Sequence, residues 1–275
     1  MKYQILVDSA SDLRQDYLKE PNIGFKVIPL TILVNDQEYV DDDNINPEEL
    51  LEAMHASKKN SSACPAPQSF LQEFDNSEYT FVVTITSKLS GCYNSALVAK
   101  NDYSKSENIH VIDSKGASGT ETLIVDKLVE LINQGLSFEE IKTQIEAFRD
   151  EKELFFMLNK FDNLVNNGRM SKIAGLIAST LVIRPICIAN DGEIKIAKKI
   201  IGSKNAISKM LQMIYERVKD GPKKTLIISH CLADTVVDGI KKALEEANLF
   251  KEIKIFPTKG LCSYYALEKG LILCY

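Results

Sequence analysis

The sequence predicts an α/β protein of two domains, the first with a mostly parallel sheet and the second with a mixed one. Three observations predict it. Through about residue 150, short apolar strands alternate with amphipathic helices, the pattern of a parallel sheet covered by helices. Two of those strands end in Asp-Ser (Asp8-Ser9 and Asp113-Ser114) and one in Thr86-Ser87, so polar residues gather at the carboxyl ends of the strands. After about Glu151 the character changes, and Asn190-Asp191-Gly192 between two apolar runs signals a β-hairpin. We therefore expect domains at 1–152 and 153–275.

The elements follow in order. Gln4–Val7 is a buried strand, and Asp8 and Ser9 cap a helix predicted over Leu13–Glu20 that Pro21 ends. Phe25–Val34 reads as one long strand, continued at Gln37–Tyr39 after an Asn35-Asp36 turn. Asp41-Asp42-Asp43 reads as a solvated acidic turn, its spacing unlike that of an EF-hand loop. Asn46 and Pro47 open a helix. Residues 58–67, small, polar and holding two prolines, are expected to be an irregular and functional loop. Then come helix Gln68–Phe74, strand Phe81–Thr86, strand Ile109–Ile112, helix Thr120–Asn133 and helix Ser137–Arg149, the last with a Ser137/Glu140 capping box. The second domain is predicted to hold strand Leu154–Leu158, helices Phe161–Asn166 and Gly175–Thr180, and strands Leu181–Ala189 and Glu193–Ile201. Helix Lys204–Lys219, strand Thr225–Ser229, helix Thr235–Ala247, strand Glu252–Phe256 and a final apolar run at Leu271–Leu273 complete it.

Composition excludes several classes of function. The 275 residues are 45% hydrophobic and 26% charged, ordinary for a globular protein with a sizeable core. A net charge of −5 argues against a nucleic-acid footprint or a polybasic membrane anchor. The first residues read as a strand rather than a signal peptide, and no run approaches the roughly 20 apolar residues of a membrane span. Six scattered cysteines without a CxxC pair fit reduced thiols in the cytoplasm, not a disulfide framework or a zinc site. No Walker loop, GxGxxG, GxSxG or HExxH is present, so no cofactor or metal is expected.

One stretch offers chemistry. After the Phe81–Thr86 strand, Ser90-Gly91 opens a helix. Ser90 suits an N-cap, and Gly91 lets a ligand or another backbone come close. A helix N-terminus at the end of a parallel strand suits an anion. Cys92 sits at the same helix start, where thiol pKa values tend to fall, so a Cys92-dependent hydrolase or acyltransferase with His230 as base stays open.

Taken as a set, these residues resemble the DegV family of bacterial fatty-acid-binding proteins over almost the whole chain. The family's D-S-x-x-D-L appears as Asp8-Ser9-Ala10-Ser11-Asp12-Leu13, and its I-P-L as Ile28-Pro29-Leu30. L-S-G-T-Y-x-S-A appears as Leu89-Ser90-Gly91-Cys92-Tyr93-Asn94-Ser95-Ala96, with Cys92 in place of threonine. V-x-D-S appears at Val111–Ser114, L-x-x-G-G-R-I/V-S at Leu164–Ser171, and I-K-P-I at Ile183-Arg184-Pro185-Ile186.

The resemblance implies a non-catalytic protein that buries a palmitate-like fatty acid in a crevice between its domains. In the family, hydroxyls of the Ser-Gly loop and of a T-S-Q-P loop hold the carboxylate. Some members present the acid to a fatty acid kinase for phospholipid synthesis. Carried to this chain, the ligand-binding residues are Ser62, Ser90, Gly91, Cys92 and Tyr265, with Arg169 toward a partner. Leu176, Ile177, Phe81 and Phe161 are candidates for closing the tunnel. The chain also departs from the family. T-S-Q-P reads Ser62-Ala63-Cys64-Pro65, Tyr265 stands where a histidine of an H-x-G-P-G turn is expected, and the V-R-G/T arginine is replaced at Ile200-Ile201-Gly202. A carrier of another amphipathic acid, without a kinase, is the alternative these departures leave.

Overall fold

In the computed structural model, which describes every residue except Lys58 and residues 171–182, three sheets form. The predicted helix Gly175–Thr180, the start of the Leu181 strand, Ser171, Leu176 and Ile177 lie outside the described residues. The first sheet has four parallel strands in the order β2-β1-β6-β7: β1 (Tyr3–Asp8), β2 (Ile23–Ile28), β6 (Tyr79–Thr84) and β7 (Ile109–Asp113). A small antiparallel sheet follows from β2: β3 (Thr31–Val34) lies between β4 (Gln37–Val40) and β5 (Asn60–Ala63). The third sheet is mixed, in the order β10-β9-β8-β13-β11-β12: β8 (Leu154–Met157), β9 (Ile183–Asn190), β10 (Glu193–Ile201), β11 (Thr225–His230), β12 (Glu252–Pro257) and β13 (Leu271–Cys274).

Helices cover these sheets. They are, in chain order, α1 (Pro47–His55), α2 (Pro67–Leu71), α3 (Cys92–Asp102), α4 (Gly119–Asn133), α5 (Phe138–Asp150) and α6 (Asp162–Asn166). Then come α7 (Ser203–Arg217), α8 (Asp234–Glu246) and α9 (Gly260–Ala266). The Ser137/Glu140 capping box and the Asn46 cap with Pro47 are both present. The Asp191-Gly192 turn has φ of 48° and 83°, which is why glycine stands second there. No helix among the described residues is long and apolar enough to cross a membrane.

Four predicted elements differ, each for a local reason. Leu13–Glu20 is a run of turns, not a helix. Asp12 is left-handed (φ 63°), and the Gln15 side chain bonds Phe25 O (2.7 Å) and Val27 N (3.0 Å) on the edge of β2. An isolated eight-residue helix cannot compete with that pairing. Phe25–Val34 breaks at Pro29, which has no N–H for a ladder, and Leu30 N turns to Ser9 Oγ instead (3.0 Å). The loop at 58–67 contains β5, recruited by the free edge of β3. The Asp41–Asp43 turn is not solvated throughout, since Asp41 has no exposed surface.

The reason is α9, which the sequence did not mark. Its stretch, Gly260-Leu261-Cys262-Ser263-Tyr264-Tyr265-Ala266, carries no capping residue of its own. The cap comes from 219 positions away. Asp41 Oδ1 accepts from Gly260 N (2.8 Å) and Oδ2 from Leu261 N (3.0 Å). Asp12 Oδ1 accepts from Lys259 N (2.8 Å), and Lys259 Nζ reaches Leu13 O (3.1 Å) and Asp43 Oδ1 (3.2 Å). One apolar cluster then runs from Leu30, Ile32 and Leu50 on one side to Phe156, Leu261 and Tyr264 on the other.

Truncating Asp41 to alanine strands two buried N–H groups, so Asp41→Ala should cost about 3 kcal/mol of stability. Urea unfolding checks this, and a loss below about 0.5 kcal/mol, the scale of an ordinary surface change, contradicts it.

Candidate functional site

The first sheet reverses its strand order between β1 and β6, because the chain builds β2 on one side of β1 and β6 on the other. Loops leaving the carboxyl ends of such strands diverge and open a crevice. The aspartates at the strand ends tether the loop after β6. Asp8 Oδ2 accepts from Ile85 N (2.8 Å) and Oδ1 from Ala10 N (2.9 Å). Asp113 Oδ1 accepts from Ser87 N (3.1 Å), and Thr86 N donates to Gly116 O (2.8 Å). Leu89 N and Ser90 N then close a turn on Thr86 O. Both Asp-Ser motifs are therefore scaffolding for the loop that carries Ser90.

Over that loop lies a cleft with an empty volume of about 850 Å³, open mouth included. The first half of the chain lines it with Leu30, Ile85, Leu89 and Ala117. The second half adds Leu154, Phe156, Leu158 and Leu164 from β8 to α6, Ile194 from β10, and Leu261 and Ile272 from α9 and β13. The polar lining includes Ser62, Thr86, Ser90, Arg169, Glu193 and Tyr265.

Three of those polar groups are joined directly. Ser62 Oγ and the Tyr265 hydroxyl are 2.8 Å apart, and the Arg169 guanidinium carbon lies 5.9 Å from the centre of the Tyr265 ring. Arg169 is held in turn by Leu89 O (Nε, 3.1 Å) and Asn167 O (Nη1, 2.7 Å). Burial raises the Tyr265 phenol above its ordinary value, so it is a neutral donor at physiological pH. Leu89 is the residue before Ser90, so the Arg169 bond ties this group to the Ser-Gly loop. Two hydroxyls, one phenol and one guanidinium can together receive a carboxylate.

The predicted ligand residues divide. Ser62, Ser90 and Tyr265 line one cleft, and Arg169, expected toward a partner, lines the same cleft. Gly91, not Ser90, is the N-cap of α3, and Ser90 sits one residue earlier. Its Oγ accepts from Cys92 N (3.3 Å) and donates to Cys92 Sγ (3.2 Å). Gly91 has an ordinary φ of −77°, so close approach is its use. A Cβ there would stand 3.1 Å from Cys64 Sγ. Cys92 lies fully buried behind the loop.

Burial and the neighbouring Asp8 push the Cys92 thiol far up, opposite to the lowering expected at a helix start. His230 belongs to a different cavity, with Arg14, Asp16 and Lys259, and its Nδ1 accepts from Ala233 N (3.2 Å). A Cys92–His230 pair is not formed. Phe81 is in the core of the first sheet and Phe161 in the central cluster, and neither lines the cleft. No group of three metal-ligating side chains occurs among the described residues.

Sequence reasoning missed what aligns the Ser62 strand with the Ser90 helix. Ser95 Oγ on α3 donates to Pro65 O (2.5 Å), where Pro65 follows the Ser62 loop. It also missed Asn167, whose Nδ2 donates to the Tyr264 hydroxyl (2.8 Å) and so braces α9 beside Arg169. Ser95→Ala should cost about 1–2 kcal/mol, because the Pro65 carbonyl loses a buried partner. It should also speed amide exchange at Ser62–Cys64. Unfolding and hydrogen exchange together check this, and unchanged values in both contradict it.

Known proteins share this fold. The family pattern described as an uncharacterised protein of the DegV family matches residues 2–271. A DegV domain-containing protein of Streptococcus pneumoniae is 39% identical, with 100% of this chain and 99% of the relative covered. Among solved structures, the Streptococcus pneumoniae Fatty Acid Kinase (Fak) B3 protein loaded with linoleic acid superposes with a TM-score of 0.94. It is 38% identical, with 100% and 99% of the two chains covered. A DegV family protein from Ruminococcus gnavus with vaccenic acid gives 0.93 at 32% identity, covering 100% and 99%. One from Eubacterium eligens loaded with heptadecanoic acid gives 0.89 at 32% identity, covering 99% and 98%. With the family pattern matched almost end to end and relatives well above 30% identity at full length, this chain belongs to the DegV family.

Proposed function

We propose that the chain binds a long-chain, palmitate-like fatty acid without acting on it. The observation that carries this is the apolar cleft with Ser62, Ser90, Tyr265 and Arg169 among its few polar groups. The acyl chain would lie against Leu154, Phe156, Leu158 and Ile272, where each buried methylene contributes about 0.8 kcal/mol. The carboxylate would sit at Ser62 and Ser90, close to the first-turn N–H groups of α3. Tyr265 supplies a neutral donor in the place of the family's histidine. Residues 1–152 carry the carboxylate-binding loops in this reading, and 153–275 close the acyl tunnel.

Fatty acids bound to three similar structures support the ligand class. The likeness to a Fatty Acid Kinase (Fak) B3 protein supports presentation of the acid to a kinase subunit. Arg169 is then the basic residue nearest the head group on the partner's side. Six free thiols fit a cytoplasmic setting. One observation favours a second reading. Ile201 occupies the position of the family's arginine and is 66% exposed, so a carrier with no kinase is the alternative.

Native mass spectrometry of the purified protein should show a bound fatty acid. Ser90→Ala should then weaken palmitate binding by at least about 1 kcal/mol, read by calorimetry, from the charged hydrogen bond it loses. Lipid-free protein that takes up no palmitate contradicts the reading, and unchanged affinity in Ser90→Ala removes that residue from the site. Phosphorylation of the bound acid by a fatty acid kinase separates the kinase-linked reading from the alternative.

A further inference from the structure

Beneath the loop of Ser90, one ionisable side chain has no role in the head-group site. Glu121, in the first turn of α4, is fully buried, and neither of its oxygens meets a hydrogen-bond donor or a cation among the described residues. The group it faces is the carboxyl of Asp8 from β1. Asp12, from the turn after β1, and Asp113, from the end of β7, add negative charge around it. The Cys92 thiol of α3 and the Cys262 thiol of α9 are near enough to feel its charge. From β11 and β13, the start of α4 meets the Ile227 side chain and Cys274.

Two touching carboxyls in a dry interior do not both ionise, and the pair shares a proton. The hydrogen bonds decide where it rests. Both Asp8 oxygens accept backbone N–H bonds, which favour the charged form. Glu121 accepts none. Burial moves both groups the same way: Asp8 rises to about 6, and Glu121 rises well above the ordinary carboxyl range. The start of α4 favours an anion at Glu121 only weakly, against burial and three acidic neighbours.

We propose that Glu121 is a proton-holding positioning residue. As a neutral acid it donates to Asp8, which holds Ile85 N and with it the loop of Ser90, and it keeps the Asp8–Glu121 pair at one negative charge beneath the ligand carboxylate. The binding consequence rests on the head-group site proposed above. When Glu121 ionises as pH rises through its raised value, a second charge faces Asp8 and the bound anion, and affinity falls. The folded protein also holds this proton where the unfolded chain, with an ordinary carboxyl, has released it. Stability due to Glu121 is therefore full at acid pH and is lost as pH rises from the ordinary carboxyl range through the raised folded value.

The test compares full-length wild type with Glu121→Gln, which keeps a donor toward Asp8 and cannot ionise. In ligand-free protein near neutral pH, infrared spectroscopy should show the carbonyl band of a neutral carboxylic acid that is missing from Glu121→Gln. In Asp8→Asn that band should vanish at lower pH, since the anion opposing Glu121 is gone. Across the pH range in which the wild type loses that band, its palmitate affinity should fall about tenfold further than that of Glu121→Gln, roughly the effect of one added charge at an assumed separation of about 10 Å and an effective dielectric near 20. Absence of the band, or parallel pH profiles, overturns the proposal. If neither protein binds palmitate at any pH, the head-group reading falls with the affinity effect, while the band still decides whether Glu121 holds a proton.

Discussion

Two buried carboxylates, Asp12 and Asp41, accept the backbone N–H groups of Lys259, Gly260 and Leu261. The rest of the molecule hangs on that contact. It joins loops of the first and small sheets to a helix that lies between strands of the third. The carboxylates are costly to bury, and burial raises both, Asp12 to about 7. They are kept because each is satisfied by donors that have no other acceptor, since the first N–H groups of a helix lack intrahelical partners. With α9 fixed there, Leu261 faces the cleft and Tyr265 meets Ser62.

The cleft follows from this geometry. The β1/β6 switch point supplies a crevice, Asp8 and Asp113 hold the Ser90 loop over it, and α9 with β8 and β13 supplies the opposite wall. The polar groups come from separate parts of the chain: β5, the loop before α3, the turn after α6, and α9. A small set of placed polar groups in an apolar groove is what an amphipathic acid needs, with the chain supplying affinity and the head group orientation. Cys92 is part of the loop's packing, buried and bonded by Ser90, with its thiol pushed up by burial and by Asp8.

Much of this was legible in the sequence. Strand-helix alternation marked the parallel sheet, Asp191-Gly192 marked the hairpin, and Ser137 with Glu140 marked a helix start, because each of these signals is local. Ser62, Ser90, Arg169 and Tyr265 were reached through an ordered set of motifs, and the structure places all four on one cleft. What was hidden depended on partners far along the chain. The helix α9 is capped by Asp41, so its own residues carry no signal. The Asp41–Asp43 run looked solvated for the same reason. Gln15 and the free edge of β3 overrode the local preferences of residues 13–20 and 58–67. The role of Glu121 was likewise invisible, because a buried acid and an exposed acid on an amphipathic helix read alike.

The central claim is that one cleft takes an acyl chain along its apolar walls and a carboxylate at Ser62 and Ser90. A crystal structure of the protein, purified without added lipid, tests it most directly. The account predicts continuous density along Leu154, Phe156, Leu158 and Ile272, ending in a carboxylate within hydrogen-bond distance of the Ser62 and Ser90 hydroxyls. An acyl chain lying in reverse, with its carboxylate away from both serines, or a cleft filled only by water, would contradict it.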